Sequence, residues 1–357
     1  MIIFGNKTYT PEEINAGKKG NLEPEFVTAF EFCRQWLNGT SCFDLQTSGS
    51  TGDPKTVRVH RKQMLASAQA TRRFFGLKKG SRMLCCLDTG KIAGKMMLIR
   101  ALEWEGILVV VHPKQNPLEN LLDYHFDFAA MVPLQVEACY GHADSRKALN
   151  QIEVLIVGGA PVSPVLREKM RQIKGRVYQT YGMTETVSHF ALADMKADGP
   201  LEYRALPQVT LKVDKAQKLC IQSPMSGEGW VVTNDLVEMT SSRTFIWKGR
   251  ADFVINSGGI KLYPESILEK ISPLLQEVFP NRNSFLTGIE DPKLGQALTL
   301  VIEGDEDTES ASHLLKAAKR LLPRYQDPKS VLFIPHFLFT STGKIDQLRT
   351  LASWERD

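Results

Sequence analysis

Thr47-Ser48-Gly49-Ser50-Thr51-Gly52-Asp53-Pro54-Lys55 sets hydroxyls, two glycines and a lysine between two alternating apolar runs, Phe43/Leu45 and Val57/Val59. Glycine lets backbone N–H groups turn toward an anion without Cβ interference, the hydroxyls add donors, and Lys55 brings a full positive charge. The stretch reads as a loop that grips phosphate. A Walker A loop would need Gly-Lys-Ser/Thr opening a helix. Here Pro54 precedes the lysine, and Val57 and Val59 continue as a strand. The competing reading is a flexible surface turn, since Ser/Thr/Gly clusters are ordinary loop chemistry.

Outward from this loop, strand and helix signals alternate. Apolar spacing predicts helices over Glu25 to Trp36, Gln63 to Phe75, Lys95 to Trp104 and Ser163 to Ile173, the last with Ser163-Pro164 as N-cap and first-turn proline. Strands are expected near 43–45, 57–59, 83–87, 107–111, 126–132, 154–157 and 177–180. Continuous apolar strands between helices predict an α/β fold, with mainly parallel sheet covered by helices on both faces. From Leu206 to Trp247 short alternating segments predict a small antiparallel β subdomain. Beyond Gly249-Arg250 a further α+β pattern begins with an expected strand over Phe253 to Ile255, in a segment of plausible domain size. The expected division is therefore 1–249 and a small mobile C-terminal domain over 250–357.

With 357 residues, 43% hydrophobic and 24% charged, the chain reads as an ordinary globular protein of about two domains. A net charge of +4 with dispersed Lys and Arg argues against nucleic acid. The six cysteines show no Cys-x-x-Cys pair, which favours reduced core thiols over a zinc site or disulfide framework. The start lacks a signal-peptide core, and no run approaches the ~20 apolar residues of a membrane span. The expectation is a cytoplasmic protein without membrane insertion, a monomer or homodimer whose partners are small molecules.

Further signals follow in order: Gly158-Gly159-Ala160 after a strand, Tyr181-Gly182-Met183-Thr184-Glu185-Thr186 after another, Thr233-Asn234-Asp235, Gly249-Arg250-Ala251-Asp252, and Ser341-Thr342-Gly343-Lys344-Ile345-Asp346. Singly each is weak. A Gly-Gly-Ala after a strand is more often a tight turn, and a lone Gly-Lys a solvated one. Together, from about Leu45 to Gln347, they resemble the adenylate-forming acyl-CoA ligase superfamily.

The resemblance implies ATP, Mg²⁺ and CoA as cofactors and co-substrates. It implies that Thr47, Ser48, Gly49, Ser50, Thr51, Gly52 and Lys55 hold the β- and γ-phosphates. Gly158, Gly159 and Ala160 wall one face of adenine, and Tyr181, followed by Gly182, stacks on the base. Thr184 lies near the α-phosphate, Glu185 holds Mg²⁺, Asp235 accepts the ribose hydroxyls, and Arg250 reaches the ribose. Asp252 is the hinge, Ser257-Gly258-Gly259 faces the CoA tunnel, and Lys344 is the catalytic lysine. Mg²⁺ and fixed cations suit this chemistry, because a carboxylate attacks a polyanion poorly until the charge building on the α-phosphate is neutralised.

Departures sharpen the expectation. Only 46 residues precede the phosphate loop, where relatives carry more, so one subdomain reads as reduced. Phe253 stands where relatives usually keep an acid. Lys91 stands where they often have an aromatic or histidine. It either meets a second carboxylate of the substrate or points to solvent or a phosphate; an unpaired lysine in an acyl pocket would be costly. With Lys91, Val132 and Pro133 as pocket candidates, and Thr184 to His189, the chain most resembles compact o-succinylbenzoate–CoA ligases of menaquinone biosynthesis. Ser188 and His189 either touch the aryl carboxylate or ketone, or cap a following helix. The alternatives are a ligase for another acid, a stand-alone enzyme loading a carrier-protein thiol, and a non-catalytic adenylate-binding relative. The chain stops at Asp357 with no carrier domain in view. Lys55, Glu185, Asp235 and Lys344 together weigh against the non-catalytic reading.

Overall fold

A computed structural model describes residues 1–46, 56–340 and 345–354. Thirteen strands form one sheet, and its middle is parallel. In spatial order, Arg176–Gly182, Ile152–Val157, Phe126–Met131, Arg82–Cys85, Ile107–Val110 and Ile2–Phe4 all run the same way. Neighbouring residues of these strands enter different cores. Met83, Cys85, Val110 and Phe128 pack with Phe30, Trp36, Met64 and Met97 from helices Pro24–Leu37, Arg61–Phe75 and Ile92–Glu103. Leu84, Val109, Ala129 and Leu155 pack with Val136, Leu166 and Met170 from helices Pro133–Gly141 and Pro164–Arg171. A strand buried on both faces has no polar side to show, which is why these runs are continuously apolar. Ser163 caps its helix as expected, its Oγ accepting from the Leu166 N–H at 3.1 Å.

The opening residues, for which the sequence predicts no element, form part of the main sheet. Ile2–Phe4 and Lys7–Tyr9 form a hairpin, and Ile2–Phe4 adds a parallel strand beside Ile107–Val110. Three residues are too few for a period to register, yet Ile2 and Phe4 are each 1% exposed. With helix Pro24–Leu37, this short segment closes the sheet's edge and covers one of its faces.

The antiparallel region expected beyond Leu206 is present, and its strands continue outward from the parallel part of the same sheet. His189–Asp194, Glu202–Ala205, Thr244–Arg250, Val231–Met239, Lys218–Gln222 and Thr210–Val213 follow outward from Arg176–Gly182. Asp235 accordingly sits inside the strand Val231–Met239 rather than at the end of a segment. The hairpin Cys42–Gln46 with Thr56–His60 stands apart, in register Gln46 to Thr56 at the base of residues 47–55.

After Arg250 the expected strand over Phe253 to Ile255 is instead a 3-10 turn, Ala251–Phe253, followed by strand Ile255–Ser257. Asp252 accepts from Arg250 and Asn234, which draws the chain into that turn. A second sheet then forms from Ile260–Leu262, Ile255–Ser257, Gly295–Glu303, Ser284–Asp291 and Ser330–Ile334. Helices Pro264–Val278 and Thr308–Leu321 cover one face through Ile267, Ile271, Leu314 and Ala318. Phe285, Val301, Ile334 and Phe337 make a smaller core on the other. All six cysteines are unpaired. No helix among the described residues is long and apolar enough to cross a membrane.

Candidate active site

Ligands of open α/β sheets bind at the carboxyl ends of the strands. Gly158-Gly159-Ala160 lies there, directly after strand Ile152–Val157. Gly158 is dictated by close approach: a Cβ would stand 2.0 Å from Oγ1 of Thr180 on the next strand. Gly159 has φ +87°, which favours glycine. Gly159 and Ala160 are exposed, so this rim presents backbone to an incoming group. Val132 and Pro133, after strand Phe126–Met131, complete that side, with a Cβ on Gly159 reaching 3.5 Å from Val132.

At the end of Arg176–Gly182, the Tyr181 hydroxyl donates to Asp235 Oδ2 at 2.5 Å. The Trp247 indole donates to Oδ1 of the same carboxylate at 3.1 Å. Sequence reading missed Trp247, which lies 12 residues beyond Asp235 on the neighbouring strand. Burial, with the Asp235 charge second, pushes the Tyr181 hydroxyl far above its ordinary value. Tyr181 is therefore a neutral donor, held edge-on by Phe190 and Phe245. Arg250 pairs opposite Asp235 in the sheet, and its guanidinium meets Asp252 at 2.5 Å. Tyr181, Asp235, Arg250 and Asp252 thus converge, a cluster that can hold a vicinal diol between a carboxylate and a guanidinium.

Between Gly182 and strand His189–Asp194 the chain makes the 3-10 turn Thr184–Thr186. A strand, not a helix, follows, so the expectation that Ser188 or His189 caps a helix is wrong. A Cβ on Gly182 would lie 2.4 Å from the Ser188 carbonyl, so the loop folds tightly back. The buried Thr186 hydroxyl pins it, accepting from the Met183 N–H at 3.1 Å and reaching the Ser188 carbonyl at 2.8 Å. Val187, β-branched and buried, sits at φ +66°, a strained backbone of the kind stored at functional sites. The turn holds Glu185 exposed and Thr184 half-exposed beside the strand ends.

Behind this turn lies a cation that sequence reading passed over. Arg100, on helix Ile92–Glu103, is 2% exposed and has no carboxylate partner among the described residues. One Nη meets Ser188 Oγ at 3.4 Å, the other Met97 sulfur at 3.5 Å, and the guanidinium lies 5.7 Å from the Phe128 ring centre. Its Nε is buried without a partner among the described residues. Desolvation lowers it to about 10, still charged at neutral pH. His189 beside it bonds Thr71 through Nε2 at 3.2 Å and Ser188 through Nδ1 at 3.4 Å. Burial, then the Arg100 charge, pushes the imidazole well below its ordinary value, so it is neutral. Arg100, Ser188 and His189 form a positive, incompletely satisfied polar nest inside an apolar core.

Residues 38–232 match the family model for AMP-binding enzymes. The chain belongs to the AMP-binding enzyme family. It is 37% identical to an acyl-CoA synthetase (AMP-forming)/AMP-acid ligase II-like protein from Dyadobacter fermentans, at TM-score 0.67, covering 97% of this chain and 98% of that one. It is 28% identical to the 2-succinylbenzoate–CoA ligase of Escherichia coli, over 89% of this chain and 70% of the relative. With the ligase of the same name from Staphylococcus epidermidis identity is 25%, over 84% and 67%. The fold also matches the Bacillus subtilis o-succinylbenzoate coenzyme A synthetase solved with ATP and magnesium, at TM-score 0.73 and 21% identity, over 86% and 69%.

Within this AMP-binding enzyme, Thr47 to Lys55 and Ser341 to Lys344 lie outside the described residues; the flanking hairpin and the Phe339–Ile345 bridge mark where each begins and ends. Lys91 is exposed at the N-cap of helix Ile92–Glu103, so the buried cation of that helix is Arg100, two turns on. Ser257-Gly258-Gly259 forms a tight hairpin turn with φ +56° and +80° at the glycines, as a two-residue connection requires. No group of three or more His, Cys, Asp or Glu able to cage a metal occurs among the described residues. The lone exposed carboxylate of Glu185 fits Mg²⁺, which keeps its waters and takes one or two carboxylates plus phosphate oxygens.

Proposed function

We propose that this AMP-binding enzyme activates a carboxylic acid with ATP and transfers the acyl group to CoA, and that the acid is a dicarboxylate of the o-succinylbenzoate type. The observation that carries the substrate class is Arg100. A charged guanidinium costs several kcal/mol to bury unpaired, and leaving such a cost in place needs a reason. A second carboxylate, entering beside Ser188, supplies the missing anion and takes the free Nε–H. The similarity to ligases named for 2-succinylbenzoate supports the same acid.

In this reading the substrate's reacting carboxylate oxygen attacks the α-phosphorus of ATP. The bond to the β-phosphate oxygen breaks and pyrophosphate leaves with its electron pair. Asp235 and Arg250 hold the ribose, Tyr181 and the Gly158–Ala160 rim hold the base, and Thr184 donates toward the α-phosphate. Glu185 binds the Mg²⁺ that neutralises charge on the phosphates. The CoA thiol, losing its proton, then displaces AMP from the acyl carbon.

Pyrophosphate exchange over a panel of carboxylic acids tests this. Exchange dependent on o-succinylbenzoate supports the reading, exchange with monocarboxylic acids alone removes the second-carboxylate assignment, and none with any acid removes the reaction. Two substitutions probe the nucleotide side. Glu185→Gln is expected to raise the Mg²⁺ concentration for half-maximal exchange about tenfold or more, since even outer-shell partners of metal ligands cost about 10–100-fold when lost; an unchanged Mg²⁺ curve would remove Glu185 from the metal. Asp235→Ala is expected to raise KM for ATP by roughly 10- to 100-fold, the cost of hydrogen bonds to a charged acceptor, while KM for the acid holds.

A further inference from the structure

The junction between the two sheets carries contacts that no expected site residue explains. Helix Pro264–Val278 begins with Pro264 at its first position and presents Glu265 and Ser266 to the last strand before the turn at Asp252. Glu265 Oε1 accepts from the Arg250 backbone N–H at 3.2 Å. The Ser266 hydroxyl donates to the Lys248 carbonyl at 2.6 Å. Gly249 lies between them with φ +148°, and a Cβ there would stand 2.6 Å from Glu265 Oε2. That oxygen is buried without a partner among the described residues. Two side chains thus grip the consecutive peptide groups on either side of Gly249, and that glycine is the residue that leaves room for them.

We infer that Glu265 and Ser266 are positioning residues forming an orientation-specific clamp, which seats the C-terminal segment on Lys248–Arg250 in this arrangement and must open whenever that segment turns about Asp252. The inference rests on the proposed two-step reaction and on the turning about Asp252 that the family resemblance implies. Lys248 and Arg250 precede the turn, while Glu265 and Ser266 follow it. A large rotation at Asp252 would carry Glu265 and Ser266 away from Lys248 and Arg250. The clamp also bears on the site directly, because Arg250 is the register partner of Asp235. Holding its backbone N–H fixes the residue proposed to reach the ribose. The unpartnered Oε2 tempers the clamp. A buried acceptor left unmade costs free energy that water returns on opening. Burial accordingly pushes the Glu265 carboxyl above its ordinary value. One good bond on each residue and one unmet oxygen make a contact strong enough to populate one orientation and weak enough to leave it.

The test uses the full chain. A donor–acceptor dye pair at Lys215→Cys and Lys316→Cys, with Cys42→Ser, reports the distance between the two sheets without substrate. Single-turnover adenylation, and thiol transfer from pre-formed acyl-adenylate, report the two steps. Glu265→Ala is expected to shift the distance distribution and to change the two steps in opposite directions, each by about fivefold, the scale of one net hydrogen bond. Ser266→Ala should do the same with the same signs. Glu265→Gln, which keeps an acceptor for Arg250, should stay near the parent. Unchanged distances in both alanine variants, or both steps moving the same way as general destabilisation would make them, would overturn the clamp. The distance readout needs no acid, so it stands apart from the identity of the substrate.

Discussion

Lys344→Ala is expected to slow acyl-adenylate formation by about 10²–10³-fold, the range for removing one preorganised charge or donor from a developing oxyanion. ATP binding should change by far less. The expectation follows from the proposed reaction: two anions must approach, and a cation delivered to both the acyl oxygen and the α-phosphate acts only once they have met. Such a group contributes to the transition state and little to either ground state, so the loss appears in the rate and not in affinity. The antiparallel bridge between Phe339 and Ile345, with Asp346 N–H bonded to the Leu338 carbonyl at 2.8 Å, fixes both ends of the short segment that carries the lysine. Thiol transfer from pre-formed adenylate should be nearly unaffected. Single-turnover kinetics with nucleotide titration checks all three; equal losses in ATP affinity and in rate would end the proposed role of Lys344.

Arg100→Met is expected to separate activity from stability. For a dicarboxylic acid, KM should rise roughly a hundredfold or more, because the second carboxylate would be buried against a thioether without its cation, at a cost of about 3 kcal/mol or above. KM for ATP should hold. For a monocarboxylic aryl acid the change should be small or reversed. The fold should not suffer: the guanidinium has no carboxylate partner among the described residues and one orphaned Nε, so replacing it by an apolar side chain of similar length is expected to leave Tm unchanged or raise it. Loss of dicarboxylate selectivity with an intact or higher Tm is a pattern that a purely structural arginine cannot produce. Steady-state kinetics on paired mono- and dicarboxylic acids, beside a thermal melt, decides it. A large drop in Tm with proportionate loss toward every acid would return Arg100 to a structural role.

The residues proposed to bind nucleotide were legible because they sit in short stretches whose chemistry is local. Gly158-Gly159 reads as backbone that must approach something closely, and the structure gives the reason in Thr180 and in a positive φ. Tyr181, Glu185 and Asp235 stand at motif positions. The doubly covered parallel sheet was legible from period alone, since runs such as 83–87 and 107–111 have no polar face. Phe253 to Ile255, by contrast, reads as strand on β-branching. Only Phe253 joins the turn Ala251–Phe253, and the strand starts two residues later at Ile255, because Asp252 finds partners in Asn234 and Arg250, a competition that propensity does not contain.

Arg100 marks the limit. Inside Ile92–Glu103 it looks like a helix-surface cation, whereas Lys91, beside a recognisable glycine pattern, reads equally as a pocket residue or a solvent-facing one. Burial decided between them: Ser188, 88 residues on, comes to the guanidinium, and Phe128 lies beneath it. Trp247 reaching Asp235, the three-residue edge strand Ile2–Phe4, the antiparallel strands joining the main sheet, and Glu265 seated on Gly249 are of the same kind. Sequence by itself determined the periods, the turns and the chemical inventory, because these depend on residues a few positions apart. Tertiary structure decided which charges are buried, which are paired and which are left waiting for a ligand, because desolvation is set by whatever distant segment closes over a side chain.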